Sequence, residues 1–209
     1  MGCIHLISIA VLLTIINNHS NSEGTAWVCP LIHSVYSLSV FSQLLTELYM
    51  CDYCLTGAPH VDFLCKTMVM QNTRFEGQPE ERKANPSREN AQYYMVVVQY
   101  TAKMNSEKLN RLIRASSGMS KKHFNFRLCP PEINDELTGF SHNGVTPLGS
   151  KQKLHIILSD AILKLAKVHG RDFFWLGGGE VDLKWRISTT DFIKFFDPII
   201  ADITDIRAE

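Results

Sequence analysis

Net charge is missing from this chain of 209 residues: 21 Lys and Arg stand against 21 Asp and Glu. The molecule as a whole therefore cannot attract a polyanion from a distance. Long apolar runs are missing too. A spanning helix needs about 20 apolar residues, and the longest candidate, Ile4–Ile16, has 13, so a polytopic membrane protein is excluded. No internal repeat appears, which removes solenoid, collagen-like and coiled-coil architectures. Six cysteines in 209 residues are too few for a disulfide scaffold. What is present is a 45% hydrophobic, 20% charged composition, which predicts a buried core and excludes global disorder.

The balanced total hides a concentrated segment. Residues 103–127 hold seven Lys or Arg and one Glu, while the stretches on either side are each net acidic. A basic stripe of this kind, Lys103, Lys108, Arg111, Arg114, Lys121, Lys122 and Arg127, suits a polyanionic partner, or else is a solvated helix face. Cys51 and Cys54 form the only close cysteine pair. A zinc site needs two further ligands at suitable spacing, and Cys29, His60 and Cys65 supply no second pair. No metal site is expected. Cys65 and Cys129 lie in apolar contexts and are expected to be buried thiols.

The N-terminal stretch stands apart. Ile4–Ile16 has the length of a signal-peptide core, with Ser20 and Ser22 where small residues flank a cleavage site, yet no Lys or Arg precedes it. Met1-Gly2-Cys3 hints at lipidation, but Leu6 occupies the place where Ser or Thr is preferred. A buried helix or an incorrectly assigned first exon accounts for the same residues.

From residue 60 onward, strand and helix patterns alternate. Val61–Asn72 reads as a strand, and Arg74–Gln92, with Gly77, Pro79 and Pro86, as a long polar surface loop. Tyr93–Thr101 is β-branched and aromatic on both faces, as a central strand should be. Asn105 or Ser106 can cap a helix carrying Leu109, Leu112 and Ile113. Phe124–Leu128 reads as a strand; Pro130-Pro131 opens a helix that Gly139 closes. Leu154–Leu158 is a strand, and Ser159 caps a helix Asp160–His169 ended by Gly170. Asp172–Leu176 and Val181–Ile187 are strands flanking Gly177–Gly179, and Ser188 with Asp191 caps a helix ending near Phe196. This alternation without strict βαβ regularity predicts an α+β fold around a mixed sheet.

Three features can carry chemistry. Strand parity puts Lys66 on the same face as Met68 and Met70; a lysine there either snorkels at a sheet edge or enters a pocket for an anionic or carbonyl-bearing ligand. The loop Gly139–Gly149 contains Asn143-Gly144, which favours positive φ, and Pro147, which fixes the backbone. Such a loop can align successive N–H groups as an oxyanion receptor, or be an ordinary tight connection. His142 within it is a candidate base or a solvated loop histidine. Finally, Gly177-Gly178-Gly179 between two strands permits close backbone approach. It is not a dinucleotide fingerprint, because Asp182 stands where the last glycine is required and a strand follows. Walker, HExxH, GxSxG and EF-hand patterns are all missing.

These features together, Lys66 in LCKTMVM, YYMVVVQYTA, LTG at Leu137–Gly139, G-V-T-P-L-G, and FFWLGGGEVDLK at Phe173–Lys184, resemble the longer eukaryotic branch of the YbaK/prolyl-tRNA-synthetase-associated domain family. The resemblance covers about residues 60–204. It divides the chain into a poorly matched segment 1–59 and an editing-like domain 60–209, and it implies a mixed, partly barrel-like sheet with short helices packed around it. It further implies an aminoacyl-tRNA deacylase with no metal or cofactor; the alternative is a catalytically silent module of the same fold that binds tRNA or a synthetase. In this resemblance Lys66 is the catalytic lysine. Asn143, Gly144, Val145, Thr146, Pro147 and Gly149, with Gly177, Gly178 and Gly179, form the substrate-binding backbone. Lys103, Lys108, Arg111, Arg114, Lys121 and Lys122 are then candidate tRNA contacts. The implied partners are the acceptor end of an aminoacyl-tRNA and an aminoacyl-tRNA synthetase, not DNA. A cytoplasmic location follows, with a secretory or membrane-anchored alternative if Ile4–Ile16 acts as a signal or anchor.

Overall fold

The structure, a computed structural model, describes residues 34–37, 56–77, 87–141, 143–180 and 183–206. The apolar run Ile4–Ile16, Cys29, the Cys51/Cys54 pair and His142 lie outside the described residues.

The chain first enters the main sheet through a single 3-10 turn, Val61–Phe63, whose N-cap His60 accepts a hydrogen bond from the Asp62 N–H. The expected strand at Val61 therefore begins later, as β2, Cys65–Asn72. The reason is local: the turn closes with the Leu64 N–H donating to the Val61 carbonyl, which curls residues 61–64 out of an extended path. β2 pairs antiparallel along seven residues with β3, Tyr93–Gln99. Every residue of β3 is buried, as its two apolar faces predict.

After β4, Ala102–Met104, comes α1, Ser106–Ser117. Asn105 is its cap: its side-chain oxygen accepts from the Glu107 and Lys108 N–H groups at 2.9 and 3.1 Å. Leu109 and Ile113 of α1 are fully buried, and each such side chain contributes about 1.5–3 kcal/mol. β5, Phe126–Leu128, pairs antiparallel with the far end of β2. The expected start at Phe124 is displaced by a 3-10 turn, Lys121–His123, on which the Phe124 N–H closes.

Helix α2 spans Pro131–Thr138 with Gly139 as a left-handed C-cap. β6, His155–Ser159, runs parallel to β3. Its successor α3, Asp160–His169, ends at left-handed Gly170. Ser159 occupies the N-cap position of α3, but its hydroxyl bonds Thr204 Oγ1 at 3.2 Å rather than the helix. β7, Phe174–Gly177, and β8, Leu183–Ile187, are antiparallel, and β8 also pairs with β1, Ser34–Ser37. Helix α4, Thr189–Phe196, is capped by the Ser188 hydroxyl accepting from Asp191 N–H. Two short strands follow that the sequence pattern did not indicate: β9, Ile199–Ala201, parallel to β6, and β10, Thr204–Ile206, antiparallel to β4.

The result is α+β, with four α-helices among the described residues. The five-stranded sheet has the order β5-β2-β3-β6-β9, and the three-stranded one β1-β8-β7. They meet where Leu64, just before β2, bridges Trp175 of β7 in parallel. The outer edge of β2 is thus taken by β7 near its start and by β5 near its end, which curls the sheets together without closing a barrel. One face of β2 and β3 contributes Cys65, Val69, Met95 and Val97 to a large core with Leu176 and Trp185. The opposite face contributes Met70, Tyr94, Val96 and Val98 to a second core under α1.

Candidate active site

Lys66 lies on the second of these faces, opposite Val98, in the same parity as Leu64, Met68 and Met70. Met68 and Met70 belong to the core under α1, whereas Leu64 belongs to a separate cluster with Ala58, Phe63 and Trp175. The lysine is half-buried in the seam between the two clusters. The parity argument from sequence therefore holds, and the seam explains how a cation is accommodated on an apolar face.

The strands beside it extend this face. Trp175 opposes Arg186, and Gly177 opposes Lys184, across the β7–β8 pair; directly opposed residues share a face. Leu64 and Trp175 are bridged in parallel, so the next same-face residues along the two strands are Lys66 and Gly177. Lys66, Gly177 and Lys184 accordingly form one row across β2, β7 and β8. The Arg186 guanidinium stacks over Phe173 and Trp175, 5.1 and 5.9 Å from their ring centroids. Lys184 is the buried cation of the row, 4% exposed, and its Nζ donates to the Tyr100 hydroxyl at 3.2 Å.

Tyr100 is held in turn by the entry turn. Its N–H donates to the Leu64 carbonyl at 2.9 Å. On either side, Gln99 Nε2 donates to the Asp62 carbonyl at 3.0 Å and the Thr101 hydroxyl donates to the Asp62 carboxylate. Three consecutive residues are thereby fixed against residues 62–64.

The two glycine motifs are brought together. A Cβ on Gly144 would stand 2.7 Å from the Gly179 carbonyl oxygen, so only glycine allows the 139–149 loop to lie against the β7–β8 connection. A Cβ on Gly177 would meet the Val145 and Asn143 carbonyl oxygens at 3.4 and 4.0 Å. Gly179 has φ +100°, and a Cβ there would press on the Phe140 ring at 3.0 Å. The positive φ expected of Asn143-Gly144 falls on Asn143, at 67°; the requirement at Gly144 is space. Thr146 and Pro147 are buried, Gly149 takes φ 76°, and the Thr146 hydroxyl has no hydrogen-bond partner among the described residues.

One expectation about this loop needs adjustment. The Gly144 N–H donates to Ser141 O at 3.0 Å, and Gly178 N–H to Leu183 O at 2.7 Å. These two donors close turns and do not point at a ligand. Towards Gly177 the loop presents carbonyl oxygens, which accept hydrogen bonds.

The basic segment divides. Arg111, Arg114, Lys121 and Lys122 are exposed on α1 and the turn after it. Lys108 instead sits between Asp202 and Asp205 at 2.9 and 3.0 Å and donates to the Thr204 carbonyl at 2.6 Å. Its hydrogen bonds to these carboxylates hold its pKa above, and theirs below, the ordinary values. Lys103 is opposed to Asp205 in the β4–β10 pair. Burial pushes the Cys65 thiol well up and that of Cys129 to about 11, as expected for inert core thiols. Among the described residues no three of His, Cys, Asp or Glu gather as metal ligands, and no helix is long and apolar enough to cross a membrane.

The sequence reasoning missed Lys184 and Tyr100 as members of this face. The only available signal was a lysine directly flanked by two large apolar residues, Leu183-Lys184-Trp185. Its burial depends on which strands flank β8, and periodicity does not reveal that.

The family model for the aminoacyl-tRNA editing domain matches residues 58–195, and the chain belongs to that family. No curated protein matches it. Among solved structures it is similar, at 20% identity and TM-score 0.59, to one assigned provisionally as a trans-editing enzyme for prolyl-tRNA synthetase, over 82% of this chain and 86% of that one. It is equally similar in fold (17% identity, TM-score 0.59, over 82% and 86% of the two chains) to a scaffold used for computational epitope grafting. A hypothetical protein matches at 17% identity and TM-score 0.55, over 75% of this chain and 83% of that one.

Proposed function

We propose that this protein hydrolyses the ester of mischarged aminoacyl-tRNA, acting in trans in the cytoplasm beside an aminoacyl-tRNA synthetase. The observation that carries the reading is the convergence of Lys66, the Gly177–Gly179 connection and the Gly144–Pro147 loop in a chain of the editing-domain family.

The reaction suits this face. Water adds to the ester carbonyl carbon, the bond from that carbon to the ribose oxygen breaks, and the ribose oxygen leaves with a proton. Negative charge develops on the carbonyl oxygen, and the Lys66 ammonium is the cation we assign to stabilise it. The carbonyls of Asn143 and Val145 are acceptors suited to the α-ammonium of the aminoacyl group. The ester is activated by its vicinal ribose hydroxyl, so the proton transfers can pass through that hydroxyl and a held water. Arg111, Arg114, Lys121 and Lys122 are placed on a surface able to meet acceptor-stem phosphates.

A silent tRNA- or synthetase-binding module is the second reading. What favours it is the engagement of the Gly144 and Gly178 N–H groups in turns, which removes two oxyanion donors. Incubating purified protein with a panel of mischarged tRNAs decides between the two. Release of at least one amino acid is expected; intact esters throughout, with tRNA bound, support the silent module.

A further inference from the structure

Asn72, the last residue of β2, is 0% exposed, and its amide joins two stretches of chain 51 positions apart. Its Oδ1 accepts from the Asn125 N–H at 2.9 Å and the Arg74 N–H at 3.1 Å, and its Nδ2 donates to the His123 carbonyl at 2.9 Å. Two N–H groups on one side and a carbonyl on the other leave one orientation of the amide that satisfies all three. Thr73 adds two bonds to the same partner: its N–H donates to the Asn125 carbonyl at 3.0 Å, and its Oγ1 accepts from Asn125 Nδ2 at 2.8 Å. Arg74 adds a third tie, Nη1 donating to the Lys122 carbonyl at 3.3 Å. Residues 72, 73 and 74 are thus each fixed to the 121–125 turn.

This brings a cation from outside the 103–127 segment beside Lys122. Arg74, Lys121 and Lys122 are all exposed. Gathering like charges is unfavourable unless a counter-charge offsets the repulsion. Elsewhere the chain supplies one: Asp197 for Arg88, Asp202 and Asp205 for Lys108, and Asp160 for Lys164. Among the described residues neither Arg74 nor Lys122 has an ion pair, Lys121 meets Glu107 only at 3.8 Å, and Glu76 lies 3.3 Å from His123 instead. We propose that Arg74 is a further phosphate contact for the tRNA, and that Asn72 is the positioning residue that sets it beside Lys122. The binding surface is then composite, built from the exit of β2 and the turn after α1. Its partner chemistry is the sugar–phosphate backbone of an RNA helix, where a guanidinium fork meets phosphate oxygens and the ammonium beside it adds a point charge. The inference rests on the tRNA reading of the preceding subsection.

The test is the affinity of the purified full chain for uncharged tRNA as salt is varied, with melting temperature alongside. Uncharged tRNA lets binding be read apart from cleavage. Each phosphate contact contributes about 0.9 to the slope of log affinity against log salt. Arg74→Met should therefore flatten the slope by roughly one, so that raising salt from about 50 to 200 mM costs it about threefold less affinity than wild type. Arg74→Lys keeps the charge and should hold most of the wild-type slope. Asn72→Ala should also weaken binding, and its effect should shrink in an Arg74→Met, Lys122→Met background, because the groups it positions are gone. An Asn72→Ala variant that melts lower but binds as wild type makes Asn72 a structural residue only and overturns its positioning role. Arg74 is exposed, so Arg74→Met decides the proposal even if Asn72→Ala does not fold. Salt-dependent binding that Arg74→Met leaves unchanged sinks this inference alone, and wild-type protein that binds no tRNA at any salt sinks the tRNA reading with it.

Discussion

The cations of the β2–β7–β8 face and those of residues 103–127 carry the same charge in opposite surroundings. Lys184 is buried and hydrogen-bonded to the Tyr100 hydroxyl, and Lys66 occupies a seam between two apolar clusters. Arg111, Arg114, Lys121 and Lys122 stand in solvent, and Lys121 approaches Glu107 only at 3.8 Å. A buried cation can discriminate geometry because its low-dielectric surroundings make each contact count. An exposed cluster offers attraction that salt screens within about 8–10 Å. Cleavage is therefore expected to depend on the first group, and capture of a long polyanion on the second.

The largest expected effect is at Lys66. Lys66→Ala should lower the single-turnover deacylation rate by about 10²–10³-fold, the range for removing one transition-state donor, while the melting temperature stays near wild type. Arginine should not restore the rate, since a planar fork does not replace a compact ammonium. Turnover within a few-fold of wild type in the alanine variant would remove Lys66 from the chemistry.

Next comes the loop that edges the face. Because an added Cβ at Gly144 meets the Gly179 carbonyl at 2.7 Å, Gly144→Ala should be nearly as harmful as Gly144→Val. Both should cost about 1–3 kcal/mol in urea unfolding, as overpacking does, with a larger proportional loss of deacylation. Asn143→Gly, at φ 67°, relieves a left-handed residue and should leave stability at or above wild type. A tolerated Gly144→Ala would show that the loop shifts freely and fixes nothing.

How far all this was legible in the sequence differs by kind of interaction. The helices at 106–117, 131–138, 160–169 and 189–196 were readable because caps and breakers are local: Asn105, Pro131, Gly139, Gly170 and Ser188 act within a few residues. The parity of Lys66 was readable for the same reason. The strand start at 65 was not, since the turn at 61–63 depends on the His60 cap and Leu64 closure. Neither were β9 and β10, three residues each, whose existence rests on partners β6 and β4 far away in the chain. The meeting of Gly144 with Gly179, and of Lys184 with Tyr100, is tertiary contact between residues 35 and 84 positions apart. Spacing showed that the glycines permit close approach; only the fold shows what approaches.

The exposed cluster should respond in the opposite way to Lys66. Charge reversal of Lys121 and Lys122 is expected to weaken full-length tRNA binding and reduce the slope of log affinity against log salt by roughly 2, near one unit per lost phosphate contact. Turnover at saturating tRNA should stay near wild type, and cleavage of a short aminoacyl-nucleotide should barely change. Unchanged affinity and salt slope would return these residues to a solvated helix face.

The smallest effect sharpens the contrast within the basic segment itself. Lys108 differs from its neighbours because Asp202 and Asp205 hold it at 2.9 and 3.0 Å, tying α1 to the C-terminal strands. Both aspartates titrate below their ordinary value of 3.8 because Lys108 donates hydrogen bonds to them. Groups with lowered folded values contribute stability that is present above the ordinary value and lost as pH falls through the lower one. Lys108, raised above 10.5, contributes stability present below that value and lost as pH rises through its folded value. The alkaline end is shared with Tyr94, which burial pushes up to about 12, and with Cys129, so the acid end is the discriminating one. Between pH 6 and 2 the wild-type melting temperature should fall slightly more steeply than that of Lys108→Met, the difference opening below about pH 4. Lys121→Met, whose pairing is loose and exposed, should follow the wild-type curve. If the Lys108 and Lys121 variants titrate alike, Lys108 belongs with the solvated cations, and all of its charge is then available to a polyanion.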